Sequence, residues 1–137
     1  MKGIKKFSIK GNIILIDDDP SILDSMSLLL KEWGYHVASC KNYQDVWMKL
    51  KTFTPSLIIS DYHLPKEESN GLELIKKIRQ KTDTTIPALL ITADTNNIEK
   101  QLKENYVEKE RDLTQITKKP ISPAKLKLII QYFIREY

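Results

Sequence analysis

The sequence predicts an α/β fold: a doubly wound, five-stranded parallel sheet in the order 2-1-3-4-5, with helices on both faces. Three observations predict it. Short apolar runs alternate with segments whose apolar residues recur at three- and four-residue spacing, the pattern of strands alternating with helices. The run Leu57-Ile58-Ile59-Ser60 is continuously apolar up to its serine, as suits a central strand buried on both faces. Most of these runs deliver a chemically useful residue where they end, at the sheet edge where open α/β folds collect their sites.

Strand one is Asn12-Ile13-Ile14-Leu15-Ile16, a β-branched run that ends in Asp17-Asp18-Asp19-Pro20. Aspartates ahead of a proline are a helix-start signal. The helix carries Ile22, Leu23, Met26, Leu29, Leu30 and Trp33 on one face and stops at Gly34. Tyr35 to Cys40 is a short second strand. Asn42 can cap the next helix, whose face uses Val46, Trp47, Leu50 and Phe53 before Thr54-Pro55 ends it. The central strand leads to Asp61, and Pro65 closes off regular pairing. After a polar loop, Gly71 opens a helix built on Leu72, Leu74, Ile75 and Ile78, with Arg79 and Lys81 suiting the negative end of its dipole. Ile86 to Ile91 is strand four, with Pro87 near its start, and it delivers Thr92-Ala93-Asp94. Ile98, Leu102 and Tyr106 have helical spacing, whereas Val107 to Asp112 is charged and has no clear period. Leu113 to Thr117 is strand five, followed by Lys118-Lys119-Pro120. Ser122-Pro123 starts the last helix, which buries Leu126, Ile129, Ile130 and Phe133.

At 137 residues, 41% hydrophobic and 29% charged, the chain is long enough for one domain with its own core. The single cysteine, Cys40, excludes an internal disulfide framework and fits a reducing compartment. Neither a signal peptide nor a membrane-spanning stretch is read, so a cytoplasmic chain is expected. The net charge of +4 equals the contribution of Lys2, Lys5, Lys6 and Lys10, and no acid accompanies them before Asp17. The excess therefore belongs to a basic N-terminal arm or linker remnant over residues 1–11, ahead of a domain at 12–137. DNA binding is not expected of that domain.

Under the predicted strand order, Asp17 and Asp18 after strand one flank Asp61 after strand three at the switch point. Carboxylates so gathered repel, and at neutral pH they must hold a proton or bind a cation. An oxygen-only donor set without His or Cys favours a hard ion such as Mg²⁺. Thr92 and Lys119, on the other side, offer a hydroxyl and an ammonium to the oxygens of a phosphoryl group. Each residue has an ordinary use alone, as helix cap, backbone partner or surface charge. Together they describe phosphoryl transfer onto or through a carboxylate.

The segments Ile-Leu-Ile-Asp17-Asp18-Asp19-Pro20, Ile-Ile-Ser-Asp61-Tyr-His-Leu-Pro65, Leu-Ile-Thr92-Ala93 and Lys119-Pro120 occur in that order. In these the chain resembles the receiver domains of bacterial two-component response regulators, over residues 12 to 136. Trp33-Gly34-Tyr35, Asp61-Tyr62-His63-Leu64-Pro65 and Gly71-Leu-Glu-Leu-Ile are similar to receivers attached to hybrid sensor histidine kinases. The resemblance implies Asp61 as phosphoacceptor, charged from a phosphohistidine on a sensor histidine kinase or a histidine phosphotransfer protein, and an unknown downstream protein. It implies Mg²⁺ held by Asp17, Asp18, Asp61 and the backbone carbonyl of His63. It gives Thr92 and Lys119 the phosphoryl oxygens, makes room at Ala93, and makes the Lys119-Pro120 bond cis. His63 and Asp94 would tune hydrolysis. Beyond self-catalysed phosphorylation and dephosphorylation no enzyme activity is implied.

The pattern is departed from in three places. The loop from Pro65 to Gly71 is longer than the commonest form, Ile116 stands where a switch aromatic is usual, and Tyr106 to Asp112 has the look of an insertion. Two other readings compete. One is a receiver fold kept as an unphosphorylated interaction module. The other is a haloacid-dehalogenase-like phosphatase with Asp17 as nucleophile and Asp19 as acid, which lacks the further acidic motif such enzymes place after their lysine.

Overall fold

The computed structural model describes residues 10–65, 69–83 and 85–135, so residues 1–9 of the basic arm lie outside the described residues. The strands are β1 (Asn12–Ile16), β2 (His36–Cys40), β3 (Leu57–Asp61), β4 (Ala88–Thr92) and β5 (Thr114–Lys118). They form one sheet in the order β2-β1-β3-β4-β5, every neighbouring pair parallel. Between them run α1 (Pro20–Glu32), α2 (Tyr43–Leu50), α3 (Gly71–Lys81), α4 (Thr95–Asn105), a short α5 (Glu108–Asp112) and α6 (Pro123–Phe133). The fold class and strand order are those the sequence predicts.

Two cores cover the two faces. Ile14, Ile16, Ile58, Ala88 and Leu90 face Val46, Leu72, Leu74, Ile75, Ile78, Ile98 and Leu102 of α2, α3 and α4. Ile13, Leu15, Leu57, Ile59, Leu89 and Ile91 face Leu23, Leu30, Leu126 and Ile130 of α1 and α6. Alternate strand residues thus point to opposite layers, and all of β3 and β4 is buried. Among the described residues no helix is long and apolar enough to cross a membrane.

Side-chain caps set where helices begin, and so where strand ends open to solvent. Asp19, Asn42, Asn70, Asp94 and Ser122 each accept a backbone N–H from the first turn of the helix that follows. Pro20 and Pro123 occupy the first turns of α1 and α6, where no N–H is needed.

The structure moves some boundaries. Asp61 and Thr92 are the last residues of their strands, and β2 begins at His36 because the Tyr35 N–H closes α1 onto the Leu30 carbonyl at 3.1 Å. The charged stretch after Val107 is a single helical turn, α5, too short to need an apolar stripe. Arg79 is not a solvated charge at a helix end. It is buried, its Nε donating to the Ile86 carbonyl at 2.9 Å, Nη1 to Thr114 Oγ1 at 3.0 Å and Nη2 to the Leu113 carbonyl at 2.9 Å. It ties α3 to the starts of β4 and β5. Ile116 is half-buried against the α2–α4 core.

Candidate functional site

Sheet register brings the acids together. Ile16, the last residue of β1, pairs with Ser60, so Asp17 emerges beside Asp61. Thr92 pairs with Lys118, which puts Lys119 one step past the end of β4. Backbone bonds fix these ends: Asp17 N–H donates to the Cys40 carbonyl at 3.1 Å, Tyr62 N–H to Ile91 at 2.8 Å and Lys119 N–H to Thr92 at 2.8 Å. The Lys119-Pro120 bond is cis, as the resemblance implies.

Each of Asp17, Asp18 and Asp61 places an oxygen within 4.8 Å of the others. Asp17 and Asp61 are buried and Asp18 half-buried. Lys119 Nζ lies 3.0 Å from Asp61 Oδ2. Asp61 Oδ1 accepts the His63 N–H at the long distance of 3.4 Å, and Asp17 Oδ1 accepts the Asp19 N–H at 2.9 Å. Burial pushes the Asp17 carboxyl above its ordinary range, and the charges of Asp61 and Asp18 push the same way. The Asp19 N–H and Lys119 oppose them.

Three carboxylates against one ammonium leave a local charge of about −2 when all are ionised, which a divalent cation would cancel. The donors are all oxygen, which suits a hard ion such as Mg²⁺ and argues against a softer metal. The residues present therefore fit such an ion.

A cleft of about 450 Å³ opens above the cluster. Asp18, Asp61, Thr92 and Lys119 line it, together with His63, Ala93 and Asp94. Thr92 Oγ1 accepts the Asp94 N–H at 3.2 Å, which leaves its hydroxyl proton free to donate into the cleft. Every predicted site residue is thus at one rim. Asp17 is buried and is not among the cleft-lining residues, while the His63 side chain is exposed. Asp94 and Asp19 do double duty as caps of α4 and α1.

Sequence reasoning missed two contributors. Tyr62 lines the cleft, and its hydroxyl accepts from Gln101 Nε2 on α4 at 3.3 Å. Gly71 presses on the site from behind: a Cβ there would sit 2.1 Å from the Asp61 carbonyl oxygen and 2.9 Å from Ser60 Oγ. Its N–H donates to the Tyr62 carbonyl at 2.8 Å, closing the loop that follows Asp61. A glycine opening a helix hints at a close approach, but nothing local in the sequence says to what.

The family model described as response regulator receiver domain matches residues 13–131. Among curated relatives, the alkaline phosphatase synthesis transcriptional regulatory protein PhoP of Bacillus subtilis is 28% identical over 123 residues, 90% of this chain and 48% of that protein. A 14.6 kDa protein of Leptolyngbya boryana is 27% identical over 125 residues, 89% of this chain and 88% of that one. The chain spans less than half the length of other relatives, including 44% of the response regulator protein GraR of Staphylococcus saprophyticus. Among solved structures, the chemotaxis protein CheY4 of Vibrio cholerae matches with a TM-score of 0.75 at 25% identity, covering 92% of this chain and 99% of that one. The signal receiver domain of a signal transduction histidine kinase from Syntrophus aciditrophicus shares the fold, with a TM-score of 0.71 at 24% identity over 93% of this chain and 95% of that one.

Proposed function

The chain belongs to the response regulator receiver family of two-component systems, and from that premise we propose that Asp61 is its phosphoacceptor. The phosphoryl group comes from a phosphohistidine of a sensor histidine kinase or a histidine phosphotransfer protein. An Asp61 oxygen attacks phosphorus, the P–O bond forms as the P–N bond breaks, and the electron pair leaves on the histidine nitrogen.

The observation that carries the reading is Asp61 itself. It is buried at the end of the central strand, paired with Lys119 at 3.0 Å, and clustered with Asp17 and Asp18. Asp17, Asp18, Asp61 and the His63 carbonyl would hold Mg²⁺, which neutralises charge on the transferring group when bound. Lys119 swings from the carboxylate to a phosphoryl oxygen, and the Thr92 hydroxyl donates to another. Ala93, with no side chain beyond Cβ, leaves that space open. Little else is needed, because phosphoryl transfer is mainly positioning and electrostatics.

Residues 12–137 act as the receiver and residues 1–11 as a basic arm or linker remnant ahead of it. Changed contacts at its surface carry the signal to a downstream protein, in the reducing cytoplasm that the free, buried Cys40 suits.

The test is intact mass after incubation with a small phosphodonor, with and without Mg²⁺, for the parent and Asp61→Asn. One phosphoryl adduct that needs Mg²⁺ and disappears in the variant is expected. A parent that takes no phosphoryl group from several donors would leave an unphosphorylated interaction module. An adduct that survives in Asp61→Asn but is lost on changing Asp17 would make Asp17 the nucleophile.

A further inference from the structure

The cleft above Asp61 has two lips that come from different parts of the chain. One is the loop after β3, which supplies Tyr62, His63 and Pro65. The other is the start of α4 with its cap, which supplies Asp94, Asn97 and Ile98. Tyr62 belongs to the first lip and is held to the second. Its hydroxyl accepts from Gln101 Nε2 on α4 at 3.3 Å. Gln101 stands four residues after Asn97 and three after Ile98, so all three share a face of that helix. A grip on Gln101 is therefore a grip on the lip.

The rest of Tyr62 is anchored elsewhere. Its N–H donates to the Ile91 carbonyl of β4 at 2.8 Å, and its carbonyl accepts the Gly71 N–H at 2.8 Å. Its half-buried ring packs against the α2–α4 core. Backbone bonds on both sides thus tie Tyr62, and with it the adjoining Asp61, to the sheet and to α3. The start of α4 is held more lightly. Ile98 and Leu102 are the buried side chains of that helix, and the Asp94 cap accepts the Asn97 N–H at the long distance of 3.4 Å. Of the two partners in the Tyr62–Gln101 bond, the helix is the one with freedom to move.

We propose that Tyr62 is a positioning residue: by holding Gln101 it keeps the α4 lip over the cleft and so shields a phosphoryl group on Asp61 from water. The proposal rests on Asp61 being the phosphoacceptor. The reaction it opposes is hydrolysis. A water oxygen bonds to phosphorus as the bond from phosphorus to the Asp61 oxygen breaks. The electron pair returns to the carboxylate, phosphate leaves with the water's oxygen, and the surplus proton passes to solvent. Backbone bonds of the strands, and not Gln101, place the carboxylate. Loss of the link should therefore shorten the life of the adduct while changing its formation little, whereas a general loosening of the fold would move both rates.

The test is intact mass followed in time. Each protein is loaded from a small phosphodonor with Mg²⁺, the donor is removed, and the decay of the adduct is timed. In Tyr62→Phe and in Gln101→Leu the decay should quicken at least threefold, with formation within twofold of the parent. Because both changes break one bond, the double variant should decay no faster than the worse single one, whereas independent effects would multiply to about ninefold. Tyr106→Phe is the control. The Tyr106 hydroxyl donates to Glu73 Oε1 of α3 at 3.0 Å, so this change removes the same group from the far end of α4, away from the cleft. It should alter the decay less than twofold. Thermal midpoints verify folding. If Tyr62→Phe does not fold, Gln101→Leu, at a half-buried helix position, carries the comparison with Tyr106→Phe alone. Unchanged decay in the folded variants, multiplied effects in the double variant, or an equal loss in Tyr106→Phe would overturn the proposal and leave Asp61 as phosphoacceptor. A parent that takes no phosphoryl group would overturn both.

Discussion

Replacing Gly71 by alanine tests how closely the start of α3 is fitted against Asp61. A carbon rests against a carbonyl oxygen at about 3.3–3.6 Å, yet the added Cβ would lie 2.1 Å from the Asp61 carbonyl oxygen. The two must separate by about 1.2 Å to reach that range. Neither side can yield as a flexible side chain would. The oxygen belongs to the backbone of the fully buried central strand, and Gly71 is tied to the Tyr62 carbonyl at 2.8 Å. Overpacking a well-fitted site costs about 1–3 kcal/mol, and a collision of backbone with backbone belongs at the upper end. A loss of about 3 kcal/mol lowers the unfolding midpoint of a domain this size by roughly 10 °C.

The same displacement has a functional readout, because it moves the residue that carries the carboxylate. A 1 Å misplacement of a reacting group can cost about 10²-fold in rate, so phosphorylation of Gly71→Ala by a small donor should slow by about that factor. Urea denaturation and intact-mass time courses measure both. Gly34→Ala is the control: its φ of +99° strains any side chain, but its added Cβ meets only the flexible Lys10 stem, at 3.3 Å. It should lose about 1 kcal/mol and leave the phosphorylation rate unchanged. If Gly71→Ala stays within about 0.5 kcal/mol of the parent and is phosphorylated at the parent's rate, the fit of α3 against Asp61 does not govern the site.

Asp17→Asn should stabilise the metal-free protein at neutral pH. Burial raises the folded-state pKa of Asp17, so the folded state favours the protonated carboxyl. The relative stability this gives is full below the unfolded pKa and is lost as pH rises through the folded one. The variant's thermal advantage should therefore shrink as pH falls toward 4, while its Mg²⁺ affinity falls at every pH; an advantage that grows on acidification would refute the assignment. Arg79→Met should cost about 3 kcal/mol in urea denaturation, because it strips donors from the Ile86 and Leu113 carbonyls and from Thr114 inside the fold. A loss below about 1 kcal/mol would mean that Arg79 behaves as an ordinary surface charge.

The residues that the sequence made legible are those whose role is local. Apolar runs announced the strands, and Asp19-Pro20, Asn42 and Ser122-Pro123 announced helix starts, because a cap acts within its own first turn. The site was legible for a related reason. A parallel sheet converts chain order into neighbourhood at the strand ends, so naming the residue after each strand nearly names the cluster. Gly71 and Arg79 were not legible in this way. Each answers to atoms on another element, the Asp61 carbonyl in one case and the starts of β4 and β5 in the other. Arg79 stands in the last turn of a helix, where a solvated charge serves the dipole equally well. Only the crossing of α3 over the sheet separates the two roles. The turn of α5 was hidden differently, since a helix of five residues is too short to display a period.

Asp17, Asp18 and Asp61 raise one another's energy, and Lys119 is the only cation seen against them among the described residues. Such a cluster persists only where the surroundings over-determine it. Here the neighbouring strands do so, through Asp17 N–H to Cys40, Tyr62 N–H to Ile91 and Lys119 N–H to Thr92, all backbone bonds that no change of side-chain charge removes. The sheet therefore holds acceptors and donors apart at spacings the side chains alone would not choose. Under the proposed function a divalent cation and a phosphoryl group would relieve that frustration, the first by opposing the carboxylates and the second by engaging Lys119 and Thr92. If Asp61 is phosphorylated as proposed, Lys119 cannot serve Asp61 Oδ2 and a phosphoryl oxygen equally, and the 3.0 Å ion pair would loosen. The loop after β5, which carries Lys119, is thus a segment whose contacts that modification would change.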